Sequence, residues 1–593
     1  MTRRTLQLLV TALIALALGG ATSSGALAQD DAGGESPTTV RVALNGFENN
    51  LTPFTVTHAT GRPDDLLMMV YDSLFWSQTT DDPEPWLAQS ATASDDNQTW
   101  TVKLRPNLTW HDGRPLTAED VKFTFDYFDD APPGRWTHHV TDVPPYESSE
   151  VVDEQTVRFR FSAPAPQFKI LPGGDLPILP KHVWEDIERP GTATDIDPIG
   201  SGPYKVAEIV SDQRYRLEAN EDYFKGKPLV DVIEMPVVRD VSAAFQALRT
   251  GQVDFVIDKV PPGIVDSLEE ADGIEIHRGH DFFSTEIRFN ARKEPFDNPD
   301  VRKAIALAID RQALVDRVLQ GDGDPGHDSW IHPESPWALP DAEGEYDTAR
   351  AQGMLDAAGF RRQGQGIRQS ADGERLAFTV LVSSRDPEAL RALQLIEGQL
   401  REIGVDMSTE SLDPAALSAR TRPGPDGPPQ HDAYLGTFDW HAHTDPDTLY
   451  FFFHSPGDKG IGAAFTGYSN ERFDQLVERA TTLEADERRP VMHEALEIFA
   501  EEVPMITLWY REDVTAYRPA AYDGWFNDSG HGLFTKRALL EGYAEQGTVD
   551  EVVDEAGDSW WWIVVAVVAV ALLIAAVLVL RRRRSAAAEQ SFE

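Results

Sequence analysis

The 593-residue chain has no cysteine. Disulfides, thiolate nucleophiles and cysteine-ligated zinc are excluded with it, and so is an N-terminal lipid-modified cysteine. Cations are scarce: 53 Lys and Arg stand against 98 Asp and Glu, a formal net charge of -45. Such a surface repels a phosphate backbone, so no nucleic-acid partner is expected. Dense carboxylates also keep a protein hydrated, and this solubility reading needs no acidic or basic ligand. Catalytic signatures are missing too. There is no G-x-S-x-G and no G-x-x-x-x-G-K-[ST], and His493-Glu494 runs on into Ala495-Leu496-Glu497 without completing H-E-x-x-H. The expectation is a protein that is not an enzyme and needs no cofactor.

Long apolar runs stand only at the two ends. Arg3-Arg4, the run from Leu8 to Leu18 and Ala26-Leu27-Ala28 form a signal peptide, 1–28, cleaved after Ala28. The pair Arg3-Arg4 leaves both the general and the twin-arginine export routes open. Trp560 to Leu580 is free of charge, and as a helix it spans a hydrocarbon core of ~30 Å. Arg581 to Arg584 follow directly. The positive-inside rule places them in the cytoplasm and the body outside, as a single-pass protein of the cell membrane. The acidic residues 541–559 read as a flexible stalk, and 581–593 as a cytoplasmic tail.

Between the ends, Trp86 to Phe128 is the most informative stretch. Trp100, Val102 and Leu104 alternate with polar residues, as in a strand with one buried face. His111-Asp112-Gly113-Arg114-Pro115 is a turn, in which His and Asp serve backbone geometry more often than chemistry. Thr117 and Asp120 have the spacing of a capping box, and Val121, Phe125 and Phe128 mark the buried side of a helix. The wording of this run, W-T-V-K-L-R then W-H-D-G-R-P-L-T-A-E-D-V-K-F-T-F, closely resembles the signature of the family-5 extracellular solute-binding proteins, the dipeptide, oligopeptide and nickel binders of ABC importers. Further resemblances follow in the family's order: Pro177-Ile178-Leu179-Pro180-Lys181-His182, Gly200-Ser201-Gly202-Pro203-Tyr204, Asn220 to Pro228, Arg249 to Asp254, and Val301 to Arg311.

The resemblance implies an α/β, two-lobed periplasmic-binding-protein-like fold of the large, three-subdomain type, here with a C-terminal transmembrane helix. Lobe I covers 29–282, with a subdomain inserted at about 66–197. Lobe II covers 283–512, and 513–540 returns to lobe I. The stalk, the transmembrane helix 560–580 and the tail follow. Ligand sits between the lobes, which close around it. The implied function is capture of a small solute, a peptide by family frequency, and delivery to the permease and ATPase subunits of an ABC transporter. A metal- or sugar-binding member of the family, a surface hydrolase and a sensing protein are the alternatives.

The remaining body reads as alternating strands and helices. Val151 to Phe161 is expected as one strand, and Phe282 to Phe289 as a crossing out of the first lobe. A single helix is expected from Asn298-Pro299 to Gly321, and a loop over 411–431. Two returning strands are expected at Ile506 to Trp509 and Val514 to Tyr517. Leu376 to Val382, Pro387 to Ile403 and the run from Val405 make a βαβ unit with a parallel pair. Asp322, Asp324 and Asp328 fit the first positions of a calcium loop, but position twelve is Pro333, so a solvated loop is expected.

The segment Phe438-Asp439-Trp440-His441-Ala442-His443-Thr444-Asp445-Pro446-Asp447 resembles the family loop that faces the cleft. In peptide binders an aspartate three residues after an aromatic grips the peptide's amino terminus. Counting from Phe438 that place is His441, and counting back from Asp445-Pro446-Asp447 it is Ala442. Neither is acidic, which leaves Asp439 or Asp445 as substitutes. The expected ligand-binding residues are Phe438, Asp439, Trp440, His441 and Asp445. The metal alternative rests on His441 and His443, two apart and on one side of an extended segment, with His454 nearby.

Overall fold

The computed structural model describes residues 38–544, apart from 48–49, 56–62, 77–82, 132–145, 194, 341, 422–428, 430, 439–446, 456–465 and 529–530. The expected signal peptide and transmembrane span lie outside these. Among the described residues no helix is long and apolar enough to cross a membrane.

The framework consists of β1 (Thr39–Ala43), β2 (Tyr204–Val210), β3 (Arg214–Ala219), β4 (Val232–Pro236), α1 (Val241–Arg249), β5 (Phe255–Val256), β6 (Glu275–Phe289), α2 (Pro299–Leu307), β7 (Gly323–Pro325), β8 (Ala377–Ser383), α3 (Pro387–Glu402), β9 (Asp406–Leu412), β10 (Ala433–Phe438), α4 (Glu471–Ala480), α5 (Ala485–Glu502) and β11 (Met505–Tyr517). Its strands form one sheet in the order β9-β8-β10-β6-β11-β5-β1-β4-β3-β2, with β7 alongside β11. The two long strands β6 and β11 run antiparallel through the middle.

Each end of the sheet carries its own apolar core. On one side Val40, Val42, Ile233 and Phe255 pack with Leu533, Phe534 and Leu539 from the chain's last described stretch. On the other, Val380, Val382, Ile396 and Leu400 of β8 and α3 pack on Val301, Ile305 and Ile309. The strands β8 and β9 are parallel and joined by α3, as the βαβ pattern predicts. Asp386 caps α3 by accepting from the Ala389 amide at 2.9 Å, ahead of Pro387 in the first turn.

The expected helix 298–321 is broken. Asn298 caps α2, but Asp310 accepts from the Ala313 amide and opens a new turn, Arg311–Leu314. An Asp carboxylate beside a free amide competes with helix continuation. Three other expectations also change. Val151 to Phe161 is a hairpin of Tyr146–Asp153 and Thr156–Phe161. Pro414–Thr421, within the expected loop, is helical. The two returning strands are one, β11, continuous through Arg511-Glu512-Asp513.

The signature stretch builds a separate four-stranded sheet with Ala118–Asp130 packed on it. Its core holds Trp100, Val102, Leu104, Val121, Phe125 and Phe128, the residues its periodicity marked. Gly113 takes φ +84° in the turn. His111 is a structural pin: its amide donates to the Gly200 carbonyl, its Nδ1 accepts from the Gly200 amide, and its Nε2 bonds the Gly202 carbonyl. A Cβ on Gly200 would stand 1.9 Å from the Val70 carbonyl oxygen, so this close approach admits no side chain.

Candidate functional site

The two halves of the sheet share β6 and β11, and both strands are irregular at one level. Glu275 to His280 pair with Tyr517 to Glu512, and Ser284 pairs with Tyr510. Residues 281–283 therefore face Arg511 alone. Phe282 at their centre has φ +58°, a conformation in which its Cβ crowds the backbone, and it is buried. The strained bulge sits where one apolar core ends and the other begins.

Arg511 ties the halves together from the facing strand. Its guanidinium donates to the Val260 carbonyl at 3.1 Å, just past β5, and to the Glu388 carboxylate at 3.0 Å, in the first turn of α3. Nearby, Arg278 pairs with Glu512 (2.8 Å), Asp322 (3.0 Å) and Glu269 (3.3 Å). At the far rim a second set of contacts spans the halves. Asn97 Nδ2 donates to Glu484 at 2.6 Å, and Gln167 Nε2 donates to the Leu483 carbonyl at 3.2 Å. Contacts at both the bulge and the rim describe a closed arrangement.

Beyond the bulge, β6 lines one wall with a buried polar cluster. Glu286 is fully buried, and burial pushes its carboxyl group's pKa up against the pull of Arg288. Ser284 donates to Glu286, and Arg288 donates to Glu286 at 3.2 Å, the Tyr434 hydroxyl at 3.1 Å and the Thr437 carbonyl at 2.7 Å. The Arg288 guanidinium lies 3.6 Å from the centre of the Phe438 ring, a desolvated cation–π contact. Next to it, Ser329 Oγ donates to His327 Nδ1 (2.8 Å), and the Tyr510 hydroxyl donates to the Trp330 carbonyl (2.8 Å). His327 Nε2 stands 3.1 Å from that hydroxyl. Burial, with Arg311 adding repulsion, lowers the His327 pKa to about 4.

The structure places Phe438 inside the core: it is 7% exposed and packs on Trp330 and Phe452. Asp439, Trp440, His441, His443 and Asp445 lie outside the described residues. His454 bonds Glu478 at 2.9 Å. Among the described residues no group of three His, Asp or Glu side chains is placed to hold a metal ion. The triad Asp322, Asp324 and Asp328 is not a solvated loop throughout: Asp328 is buried and accepts from Lys303 at 2.7 Å and from Arg311. Two cations and a β-strand claim it because Asp324 and Pro325 pair with β11.

Sequence reasoning passed over Arg511, Glu388, Glu286 and Arg288. A signal for Arg511 was present in the charged triplet Arg511-Glu512-Asp513 inside an apolar strand pattern. Arg288 and Glu286 gave none, because a charged residue on alternate strand positions reads as a solvated face.

Two strands with a bulge at one level thus join two apolar cores, and a buried polar and aromatic cluster lies beside them.

The sequence profile described as bacterial extracellular solute-binding proteins, family 5, middle, matches residues 82–460. The oligopeptide-binding protein AppA of Bacillus subtilis is 28% identical over 525 residues, 85% of this chain and 92% of that protein. The structure of that AppA with a nonapeptide superposes with a TM-score of 0.69 at 26% identity, over 82% of this chain and 95% of that one. NikZ of Campylobacter jejuni with Ni(L-His) gives 0.70 at 22% identity, over 82% of this chain and 94% of NikZ. The mannohexaose-bound oligopeptide-binding protein of Thermotoga maritima gives 0.69 at 23% identity, over 87% and 98%. The last two likenesses speak for the α/β, two-lobed fold alone.

Proposed function

The chain belongs to the family-5 bacterial extracellular solute-binding proteins, and from that we propose that it captures a small solute, a peptide first among candidates, between its two lobes and delivers it to the permease of an ABC importer. The observation that carries the reading is the crossing. Two long strands with a strained bulge and a bridging arginine join two separate cores, which is what a hinge requires. The peptide assignment draws support from AppA, the relative named as oligopeptide-binding. Nickel chelates and sugars, held by proteins of the same fold, are the competing cargoes.

In this reading lobe I is 29–282 with the signature subdomain inserted at about 66–197, lobe II is 283–512, and 513–540 returns to lobe I. Phe438, Asp439, Trp440, His441 and Asp445 are its ligand-binding residues. The span 560–580 anchors the protein to the membrane. Glu541–Ala544, at the start of the expected stalk, form a helical turn whose Tyr543 hydroxyl lies 2.7 Å from Lys225.

Thermal unfolding of the purified protein with a panel of peptides, nickel–histidine and mannohexaose tests the proposal. A ligand at a hundred times its Kd adds about 2.7 kcal/mol. A melting temperature unmoved by every member of the panel at millimolar concentration refutes solute capture. Loss of membrane association when 560–593 are deleted tests the anchor; an unchanged membrane fraction refutes it.

A further inference from the structure

Strand β1 lies between β4 and β5 and is parallel to both. The chain passes from β1 to β4 on one side, then through α1 to β5 on the other. Both crossovers are right-handed by rule and run in opposite directions, so they leave on opposite faces of the sheet. The carboxyl ends of β1 and β5 at such a reversal are the place where open α/β sheets bind ligands.

Two side chains stand level at that point. Val42 pairs with Phe255 and Ala43 with Val256, so two residues further on Asn45 meets Asp258. Asn45 Nδ2 donates to Asp258 Oδ1 at 2.5 Å. The other oxygen of each residue, Asn45 Oδ1 and Asp258 Oδ2, is buried with no hydrogen-bond partner. Both are acceptors when Asp258 is ionised. A buried polar atom left unpaired is costly and uncommon in native proteins. The nearby cations are already engaged: Lys259 pairs with Asp513 at 3.5 Å, and Arg511 donates to Val260 and Glu388. Burial raises the Asp258 pKa against the Asn45 hydrogen bond and the charge of Arg511.

The missing group must donate at least twice and favour a carboxylate. A hydroxyl has one proton to give; a primary ammonium has three and adds charge assistance. We propose that Asn45 and Asp258 form the lobe I recognition point for a primary ammonium of the ligand, either a peptide's amino terminus or a lysine side chain. The inference rests on the solute-capture reading above and deepens it. It also supplies an acidic partner where the cleft loop presents His441 and Ala442.

The test is calorimetric titration of the full-length protein in detergent with trialanine, N-acetyl-trialanine and N-acetyl-Ala-Lys-Ala. The wild type is expected to bind trialanine at least tenfold more tightly than its acetylated form. Asp258→Asn is expected to erase that preference by weakening trialanine alone. Asn45→Ala keeps the carboxylate and one of the two free acceptors, and is expected to weaken trialanine three- to tenfold; it serves if Asp258→Asn does not fold. If N-acetyl-Ala-Lys-Ala binds like trialanine and loses the same factor in Asp258→Asn, the ammonium comes from the side chain. A wild type that binds none of the three overturns both the peptide reading and this inference. Equal losses for free and acetylated peptides, or no loss in either variant, overturn the inference and leave solute capture standing.

Discussion

Replacing Lys536 by methionine should destabilise the protein by about 3–5 kcal/mol, the range for leaving a buried charge without its partner. Lys536 and Asp72 are both fully buried, and the ammonium lies 2.7 Å from the carboxylate. Asp72 also accepts from Trp86 Nε1 at 2.8 Å, the Tyr223 hydroxyl at 3.0 Å and Ser201 Oγ at 3.1 Å. Methionine preserves most of the side-chain volume against Trp76 and Trp86, whose rings lie 4.9 and 4.6 Å from Nζ, so the loss reports charge more than packing. Three neutral donors remain to the carboxylate, which places the expectation toward the lower end of the range. Asp72→Asn strands the ammonium instead and should cost a similar amount. The double variant buries no charge at this point. Its cost should fall below the sum of the single costs by at least 2 kcal/mol. The assay is urea unfolding followed by tryptophan fluorescence, with the slope required to be the same in all four proteins. Strict additivity, or a loss under 1 kcal/mol in Lys536→Met, would refute the reasoning.

The other expectations concern local features. Between pH 6.5 and 4 the unfolded chain protonates His327 while the native state, with its pKa near 4, does not, so stability falls as the pH drops through that window. His327→Gln should remove about 3 kcal/mol of that pH-dependent loss, from 2.5 pKa units at about 1.36 kcal/mol each; identical pH profiles of the two proteins in urea would count against it. Gln320 ends a helical turn at φ +57° and is exposed, so Gln320→Gly should stabilise by about 1 kcal/mol, and a lower urea midpoint would contradict the strain. At the rim, Gln167→Ala removes one hydrogen bond of the closed arrangement, worth about 1 kcal/mol. Ligand affinity should weaken about fivefold, and unchanged affinity would show that this rim contact plays no part in closure.

Much of the fold was legible in the residues because it is local. A strand repeats every two residues and a helix every 3.6, so Trp100, Val102 and Leu104, or Val121, Phe125 and Phe128, announce their buried faces within a short window. Thr117 and Asp120 likewise form the capping box their spacing predicts. Where neighbouring signals conflicted, the reading erred. Asp310 broke a helix that the apolar pattern carried through, and the charged triplet at Arg511 hid the continuity of β11.

The amino-acid sequence by itself determined the family, the absence of thiol chemistry, the acidic surface and the alternation of strands and helices. Tertiary structure alone decided which polar side chains meet. Asp72 and Lys536 are 464 residues apart, Asn45 and Asp258 are 213, and Arg511 reaches Val260 across 251. Nothing in the spacing of such residues records their pairing. It comes from the order of strands in one sheet and from the demand that every buried charge find a partner, and both are satisfied only when the whole chain has folded.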